Sequence, residues 1–261
     1  MRGYYNMMKT EMILDFKELS RYKVSIVSDF LLFTLMYIAI YYFNANTAFS
    51  SFYSLNETEG KVLVLIGYIF WQMSSTALGF SSSTIKNDAN KGILELELQS
   101  KFNIIFIMLI QLFTYMVYSI LSVLGIFLFM MITGNTSMQD LKMIFVSYIY
   151  CIPSVIGMFG MGLIMGGITL IQKSVGQFTF ILQTALLFIS NALSPTRPSI
   201  IYILPFSYGI DITRNAYLGG VIEINQIIMY ISVNLLWLLI GTMIFNVCLK
   251  YIKRCGSFDT Y

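Results

Sequence analysis

The sequence predicts an all-α integral membrane protein with six transmembrane helices. Apolar residues make up 57% of its 261 residues and charged residues only 11%, whereas soluble globular domains carry about 25% charged residues. Six apolar runs each approach or exceed the roughly 20 residues that a helix needs to cross the hydrocarbon core. Lysine and arginine are concentrated in alternate connecting segments, as expected for short loops on the two sides of a membrane.

The lysine and arginine residues also predict the orientation of the chain. Twelve of the 16 fall in the N-terminal segment, in the segments after the second and fourth apolar runs, and in the C-terminal tail. Positive charge in short loops marks the cytoplasmic side, so both termini are expected in the cytoplasm. We therefore expect a multi-pass protein of the cell membrane that forms a single domain over residues 1–261.

The N-terminal segment, residues 1–23, is predicted to be an amphipathic helix that lies in the headgroup region of the membrane. Its residues Met8, Met12, Phe16 and Leu19 fall on one helical face, and its lysines and arginines are available elsewhere. The alternative is a basic flank whose only role is to orient the first span.

The six spans follow from the positions of the apolar runs. They are expected at residues 24–43, 62–80, within 104–133, 143–171, 175–193 and 226–249. The fourth span contains Pro153, which can kink a helix, and a cluster of glycines that we interpret as packing residues. Residues 44–61 are expected to form a modest outer loop.

A polar segment, residues 81–103, interrupts the apolar runs, and the rest of the chain is arranged around it. If the segment is helical, Ile85, Ala89, Ile93 and Leu96 share one face. A short amphipathic helix held between two spans can dock into a partner on the cytoplasmic side. The alternative is a solvated loop that only joins the two spans.

Residues 195–225 form a second unusual segment, on the predicted outer side. Its two apolar pieces are too short to span the membrane, and prolines interrupt them. Irregular backbone at membrane depth must be covered by protein, so we expect these re-entrant pieces to pack against the spans. The alternative is a folded outer cap with no role in transport.

Several chemistries are absent from the sequence. There is no histidine, so no His-dependent catalytic or metal site is expected, and the three cysteines lack metal-ligand spacing. Without a GxxxxGK[ST] loop, the chain is not expected to bind ATP in the P-loop manner. The net charge of +3 is dispersed, which argues against nucleic-acid binding. We expect neither an enzyme nor a cofactor bound by this chain.

The run Lys91-Gly92-Ile93-Leu94-Glu95 resembles a signature that follows the second span of type-2 ABC export permeases. In that family the segment is the coupling helix, which sits in a groove of a separate ATPase subunit. The resemblance implies that the residues of this chain that contact the ATPase are Asp88, Lys91, Gly92, Leu94 and Glu95. It also implies two permease copies, identical or related, above two ATPase subunits that hold ATP and Mg²⁺.

The outer segment carries a second part of the resemblance. A proline followed later by an arginine and a glycine recurs between the last two spans of these permeases, and Pro205, Arg214 and Gly219 match it here. The resemblance further implies that the second and fifth spans line the shared pathway. The pathway residues expected on those spans are Phe70, Trp71, Gln72, Phe180, Gln183, Phe188 and Asn191.

The predicted pathway is mostly apolar and aromatic with few hydrogen-bonding groups, which suits an amphiphilic cargo. We therefore expect an exporter of a hydrophobic drug or a small antimicrobial peptide that gives the cell resistance. A permease for polysaccharide, teichoic polymer or lipid is the alternative within the same family. Outside it, the alternatives are a channel or secondary carrier without an ATPase, and an immunity protein that sequesters a peptide. For any single pathway residue, ordinary lipid or helix packing is the competing interpretation.

Overall fold

The computed structural model describes residues 2–21, 23–42, 45–133, 138–173, 175–195 and 199–255. Over these residues the chain is helical and contains no strand, so the prediction of an all-α protein is confirmed. Residues 1 and 22 of the predicted N-terminal segment, and residues 196–198 of the outer segment, lie outside the described part of the chain.

The described residues form ten α-helices and one short 3-10 helix. In chain order they are α1 (Arg2–Arg21), α2 (Lys23–Tyr42), α3 (Ala45–Tyr53), α4 (Glu57–Asn90), α5 (Leu94–Gln99), α6 (Ile104–Ile132), α7 (Met138–Gln172), α8 (Gly176–Ile189), the 3-10 helix (Ser199–Ile203), α9 (Ser207–Tyr217) and α10 (Ile224–Cys255). By length and composition, α4, α6, α7 and α10 can cross a membrane, whereas α8 and the apolar part of α2 are shorter. A membrane-spanning protein is therefore supported, and the six-span arrangement stays a prediction.

Helix α7 lies between α4 and α10, and these two contacts are the most extensive in the described chain. Its glycines bring the helix backbones together. A Cβ atom added at Gly162 would lie 2.7 Å from the carbonyl oxygen of Ala77 on α4, and one added at Gly160 would overlap the backbone of Trp237 on α10. Side chains at these positions would force the helices apart, so the glycines of α7 are packing residues, as predicted.

Helix α4 is the central helix of the protein. In its most apolar stretch 89% of the residues are buried, compared with 67% for α7 and 17% for α10. With 34 residues it is about 51 Å long, which exceeds the roughly 30 Å of the hydrocarbon core. Helix α4 is therefore long enough to connect the two sides of a membrane through the middle of the fold.

Pro153 lies inside the continuous helix α7, and a tyrosine of α10 forms hydrogen bonds with the backbone beside it. The hydroxyl of Tyr230 donates to the carbonyl oxygen of Tyr150 at 2.7 Å and accepts from the N–H of Ser154 at 3.1 Å. These two backbone groups are a helical i, i−4 pair, so the hydroxyl bridges the ladder beside the proline. Packing against α10 therefore stabilises the backbone of α7 beside Pro153, and a kink at this proline stays a prediction.

The prediction that residues 44–61 form a loop is wrong for most of them. Helix α3 occupies Ala45–Tyr53, and α4 already begins at Glu57. Phe49 on α3 is buried, and its ring centroid lies 4.5 Å from the guanidinium carbon of Arg214. A tertiary contact that the local sequence does not reveal thus stabilises α3.

The predicted fifth span is too long. Helix α8 ends at Ile189 and has 14 residues, about 21 Å, and residues 190–193 form a turn instead. The carbonyl oxygens of Asn191 and Ala192 accept hydrogen bonds from Arg214 at 2.7 and 2.9 Å. Helix α8 ends before these two residues, and the bonds from Arg214 stabilise the turn that follows it.

Candidate functional site

Helix α4 ends in a turn that depends on Gly92. The N–H of Gly92 donates to the carbonyl of Ala89 at 3.0 Å, and the N–H of Ile93 donates to the carbonyl of Asp88 at 2.9 Å. These two bonds define a Schellman motif, in which the residue after the cap has a left-handed backbone. Gly92 has a φ of +71°, which glycine adopts without a steric penalty. Gly92 therefore redirects the chain from α4 into α5.

This turn shows that the predicted amphipathic helix across residues 81–103 is wrong. Ile85 and Ala89 lie on α4, Ile93 lies in the turn, and Leu96 lies on α5. The four residues do not share a helical face, because the left-handed glycine changes the chain direction between them. Ile85 is buried, whereas Leu96 is 69% exposed, so the two ends of the segment have different environments.

Replacing Gly92 with alanine is expected to destabilise the turn by about 1 kcal/mol. A Cβ atom at this position meets no atom within 4 Å, so the change tests backbone conformation alone. We expect faster hydrogen exchange at the amides of residues 92–99. The matched control is Gly176→Ala, which also meets open space but has no positive φ. If hydrogen exchange near the substitution changes equally in the two variants, the left-handed backbone at Gly92 does not stabilise the turn.

Helices α1 and α5 line an open groove of about 500 Å³ beside this turn. The lining residues include Asn6, Thr10, Glu11, Ile93, Leu96 and Glu97. Helix α1 itself packs on α6, where the rings of Phe16 and Tyr118 lie 5.3 Å apart. Two separate segments that the sequence places on the cytoplasmic side thus form the walls of one surface with both apolar and acidic residues.

Carboxylates dominate the charge of this groove. Burial, followed by the negative charges of Asp88 and Glu11, raises the pKa of Glu97 to about 7, while Lys91 opposes the shift. Burial also raises the pKa of Glu11, and a hydrogen bond from Gln111 offsets part of that rise. A cation brought to the groove would relieve the repulsion between these groups. The surface is therefore complementary to a partner that presents lysine or arginine.

The structure divides the five predicted coupling residues into two groups. Lys91, Gly92 and Glu95 are exposed at the turn and on α5. Asp88 and Leu94 are buried and hold the segment against the rest of the protein. The exposed group can meet a partner directly, whereas the buried group positions the turn. Contact of any of them with an ATPase stays a prediction.

At the opposite end of α4, the buried guanidinium of Arg214 binds backbone carbonyls from two other elements. Arg214 is only 1% exposed, and its Nε donates to the carbonyl oxygen of Leu63 at 3.1 Å. Its Nη1 and Nη2 donate to the carbonyl oxygens of Asn191 and Ala192. The planar fork of the guanidinium suits three divergent acceptors. Helix α9 is thereby tied to α4 and to the turn after α8.

The side chain of Asn191 extends this network. Its Nδ2 donates to the carbonyl oxygen of Ser207 and to Oδ1 of Asp211, both at 3.1 Å. Oδ2 of Asp211 accepts from the hydroxyl of Tyr202 at 2.7 Å. The turn after α8, the region of the 3-10 helix and α9 therefore form one hydrogen-bonded unit.

The other two residues of the predicted outer motif also have structural roles. The carbonyl oxygen of Pro205 accepts from Nδ2 of Asn234 on α10 at 3.0 Å. Gly219, with a φ of +72°, ends α9 in a second Schellman motif, since the N–H of Gly220 donates to the carbonyl of Asn215 at 2.8 Å. Pro205, Arg214 and Gly219 thus each help to fix the outer segment, and a role in transport stays a prediction.

The groove beside the glycine turn and the hydrogen-bond network of Arg214 lie at the two ends of the central helix α4. Leu63, which accepts from Arg214, and Asp88, which begins the glycine turn, are separated along α4 by about 38 Å. This separation exceeds the roughly 30 Å of a hydrocarbon core. A largely buried helix therefore connects a groove on one side of the predicted membrane to a folded segment on the other.

The predicted pathway residues do not form a single surface of the chain. Phe70, Trp71 and Gln72 are buried on α4, and Asn191 is buried in the outer network. Phe180 and Phe188 on α8 are 63% and 70% exposed, so they can contact lipid, cargo or a second copy.

Trp71 and Gln183 fasten α8 to α4. Nε1 of Trp71 donates to the carbonyl oxygen of Gln183 at 2.9 Å, and Nε2 of Gln183 donates to the carbonyl oxygen of Ser75 at 2.7 Å. Both side chains therefore position α8, whether or not cargo touches them.

Sequence reasoning missed three residues of these sites: Phe49, Glu97 and Asn234. Asn234 carries the one available signal, because an amide inside an apolar helix needs a polar partner. Phe49 and Glu97 are recognisable only after α3 and α1 have been placed against their neighbours.

Comparison of the chain with protein-family models, with curated proteins and with solved structures finds no match. The resemblance to type-2 ABC export permeases therefore rests on the residues of the chain itself. The function that it implies is a proposal.

Proposed function

We propose that this chain is the permease subunit of an ATP-driven exporter, energised by a separate ATPase. The observation that carries the proposal is the glycine turn, which presents Lys91 and Glu95 at one end of the buried helix α4. The adjacent groove is acidic, apolar and open, as a docking surface for a soluble subunit would be. ATP and Mg²⁺ would be held by the partner, because the chain has no P-loop sequence.

Helix α4 would transmit movement of α5 to the rest of the protein. Displacement of α5 by an ATPase would reach α4 through the Schellman turn. Hydrogen bonds of Trp71 and Gln183 connect α4 to α8, and Arg214 connects it to the outer segment. A movement of α4 would therefore be transmitted to both elements, which is how a packed core can couple distant sites.

An amphiphilic cargo is the proposed substrate class. Helices α8 and α10 expose large apolar side chains, including Phe180 and Phe188, and such patches mark lipid or interaction surfaces. A second permease copy, identical or related, would enclose a pathway against this face. A hydrophobic drug or a small antimicrobial peptide could bury its apolar surface there while its polar groups meet the few hydrogen-bonding residues.

Reversal of the charge at Glu95 tests the coupling surface. Glu95 is exposed on α5, and we expect Glu95→Lys to weaken ATPase binding at least about tenfold by opposing a basic partner surface. The measurement is the affinity of the detergent-solubilised chain for its purified ATPase. Glu223→Lys is the matched control, because Glu223 is exposed just before α10 at the other end of the protein. Equal affinity of both variants and the unmodified chain would reduce α5 to a linker.

The cargo class is tested on the reconstituted complex. We expect amphiphilic peptides or drugs to stimulate ATP hydrolysis and lipid-linked glycans to leave it unchanged. Stimulation by the glycan alone would select the polysaccharide or teichoic-polymer alternative.

A further inference from the structure

A small cavity, bordered by several polar side chains, lies among α2, α4 and α6, away from the coupling groove and the outer segment. Its volume is about 30 Å³, enough for one or two groups of the size of water. The polar residues that line it include Asp29, Gln72, Thr76, Tyr115 and Ser122. Polar groups from three helices thus meet within a largely apolar part of the fold.

Apart from Tyr115 and Tyr118, Asp29 is the ionisable residue in the cavity lining. It lies on α2 about 9 Å from the start of the helix, and its Oδ2 accepts a hydrogen bond from the hydroxyl of Tyr115. Carboxylates inside membrane helices are costly unless they have a partner, and they commonly mark functional sites. The described residues that line the cavity include neither lysine nor arginine, so the lining supplies no positive charge to this carboxylate.

Gln72 supplies a second, independent indication of a ligand. The side chain is 0% exposed, and its Nε2 donates to the hydroxyl of Ser122. Its Oε1 is buried without a hydrogen-bond partner among the described residues. An unsatisfied buried acceptor destabilises the fold, and a hydrogen-bond donor placed in the cavity would remove that cost.

We propose that this cavity binds the primary ammonium group of an amphiphile. An ammonium group has three N–H donors. The cavity lining includes the Asp29 carboxylate, the Gln72 carbonyl oxygen and the hydroxyl oxygens of Thr76 and Ser122, whose own protons are donated to backbone carbonyls. The small volume admits –NH₃⁺ but not a trimethylated head. Leu121, which also lines the cavity, is 54% exposed, so the alkyl chain can remain on the lipid-facing surface between α2 and α6.

The amine can belong to a soluble amphiphile or to the headgroup of an amine-bearing phospholipid, since both present the same chemistry. The site lies within one copy of the chain and involves neither the coupling groove nor α8. It therefore does not depend on the proposed ATPase partner, and its failure would leave that proposal intact.

Photo-crosslinking of the full-length chain tests the site. The protein is placed in phosphatidylcholine nanodiscs with dodecylamine that carries a diazirine near the amine, and labelled peptides are mapped by mass spectrometry. We expect saturable labelling of α2 or α6 near the cavity. Unlabelled dodecylamine should compete, whereas dodecanol and dodecyltrimethylammonium should compete at least about tenfold less well.

Two variants and one control test which groups of the cavity bind the amine. Asp29→Asn keeps an acceptor for Tyr115 but removes the charge, and we expect apparent affinity to fall about tenfold or more. Gln72→Leu removes the unsatisfied acceptor and should also lower affinity. Glu223→Gln, an exposed carboxylate outside the cavity, should leave it unchanged.

Addition of phosphatidylethanolamine to the nanodiscs separates the two sources of the amine. If this lipid competes with the labelled amine, the site binds a phospholipid headgroup. If the lipid does not compete, the site binds a soluble amphiphile. Non-saturable labelling, equal competition by all three alkyl compounds, or full affinity in Asp29→Asn would overturn the proposal.

Discussion

Replacing Arg214 with methionine is expected to destabilise the protein by several kcal/mol. Three backbone carbonyls, those of Leu63, Asn191 and Ala192, would lose their charged donor. A hydrogen bond to a charged group contributes about 1.5–3 kcal/mol, and buried acceptors left unpaired add a desolvation cost. The measurement is the unfolding midpoint of the purified protein in detergent, together with proteolysis of the turn after α8.

Arg214→Lys is the informative second variant. Lysine retains the charge but cannot present a planar fork to three divergent carbonyls, so we expect it to recover only part of the lost stability. Arg254→Met is the matched control, because Arg254 is exposed near the end of α10. A full recovery by lysine would show that charge alone, and not the geometry of the guanidinium, holds the outer segment.

Replacing Gly241 with alanine is expected to cost about 3 kcal/mol or more, at the upper end of the range for overpacked sites. A Cβ atom there would overlap the backbone of Gly160 on α7, and backbone cannot move aside as a flexible side chain can. The helices α7 and α10 would have to separate along a closely packed interface. The measurement is again the unfolding midpoint in detergent.

Val247→Leu serves as the control on the same helix. Val247 is 65% exposed, so the added methylene points towards lipid or solvent and should change stability by less than about 0.5 kcal/mol. If Gly241→Ala is as stable as this control, the close contact between α7 and α10 is not a determinant of the fold.

Composition and periodicity were sufficient to predict the class of fold. The long uncharged runs became α4, α6, α7 and α10, because in a membrane each backbone polar group must be satisfied within its own helix. The interpretation of the α7 glycines as packing residues also followed from the small-residue pattern alone.

Long-range contacts explain what the sequence could not reveal. Helix α3 is stabilised by the contact of Phe49 with Arg214, two residues far apart in the chain. The turn that follows α8 is held by hydrogen bonds from the same arginine. The amphipathic face across residues 81–103 was wrong because helical periodicity was carried through a residue with a left-handed backbone. The cavity at Asp29 and Gln72 needs three helices, none of which shows it alone.

Purification of the chain from its native membranes tests most directly whether it forms a complex with an ATPase. A tagged chain is extracted in mild detergent, its partners are identified and quantified, and Mg²⁺-dependent ATP hydrolysis is measured. We expect one P-loop ATPase per permease copy, hydrolysis by the complex, and loss of the ATPase from Glu95→Lys preparations. A chain that purifies without a P-loop protein and without ATP hydrolysis, while retaining its fold, would contradict the proposal and favour a channel, a secondary carrier or an immunity protein.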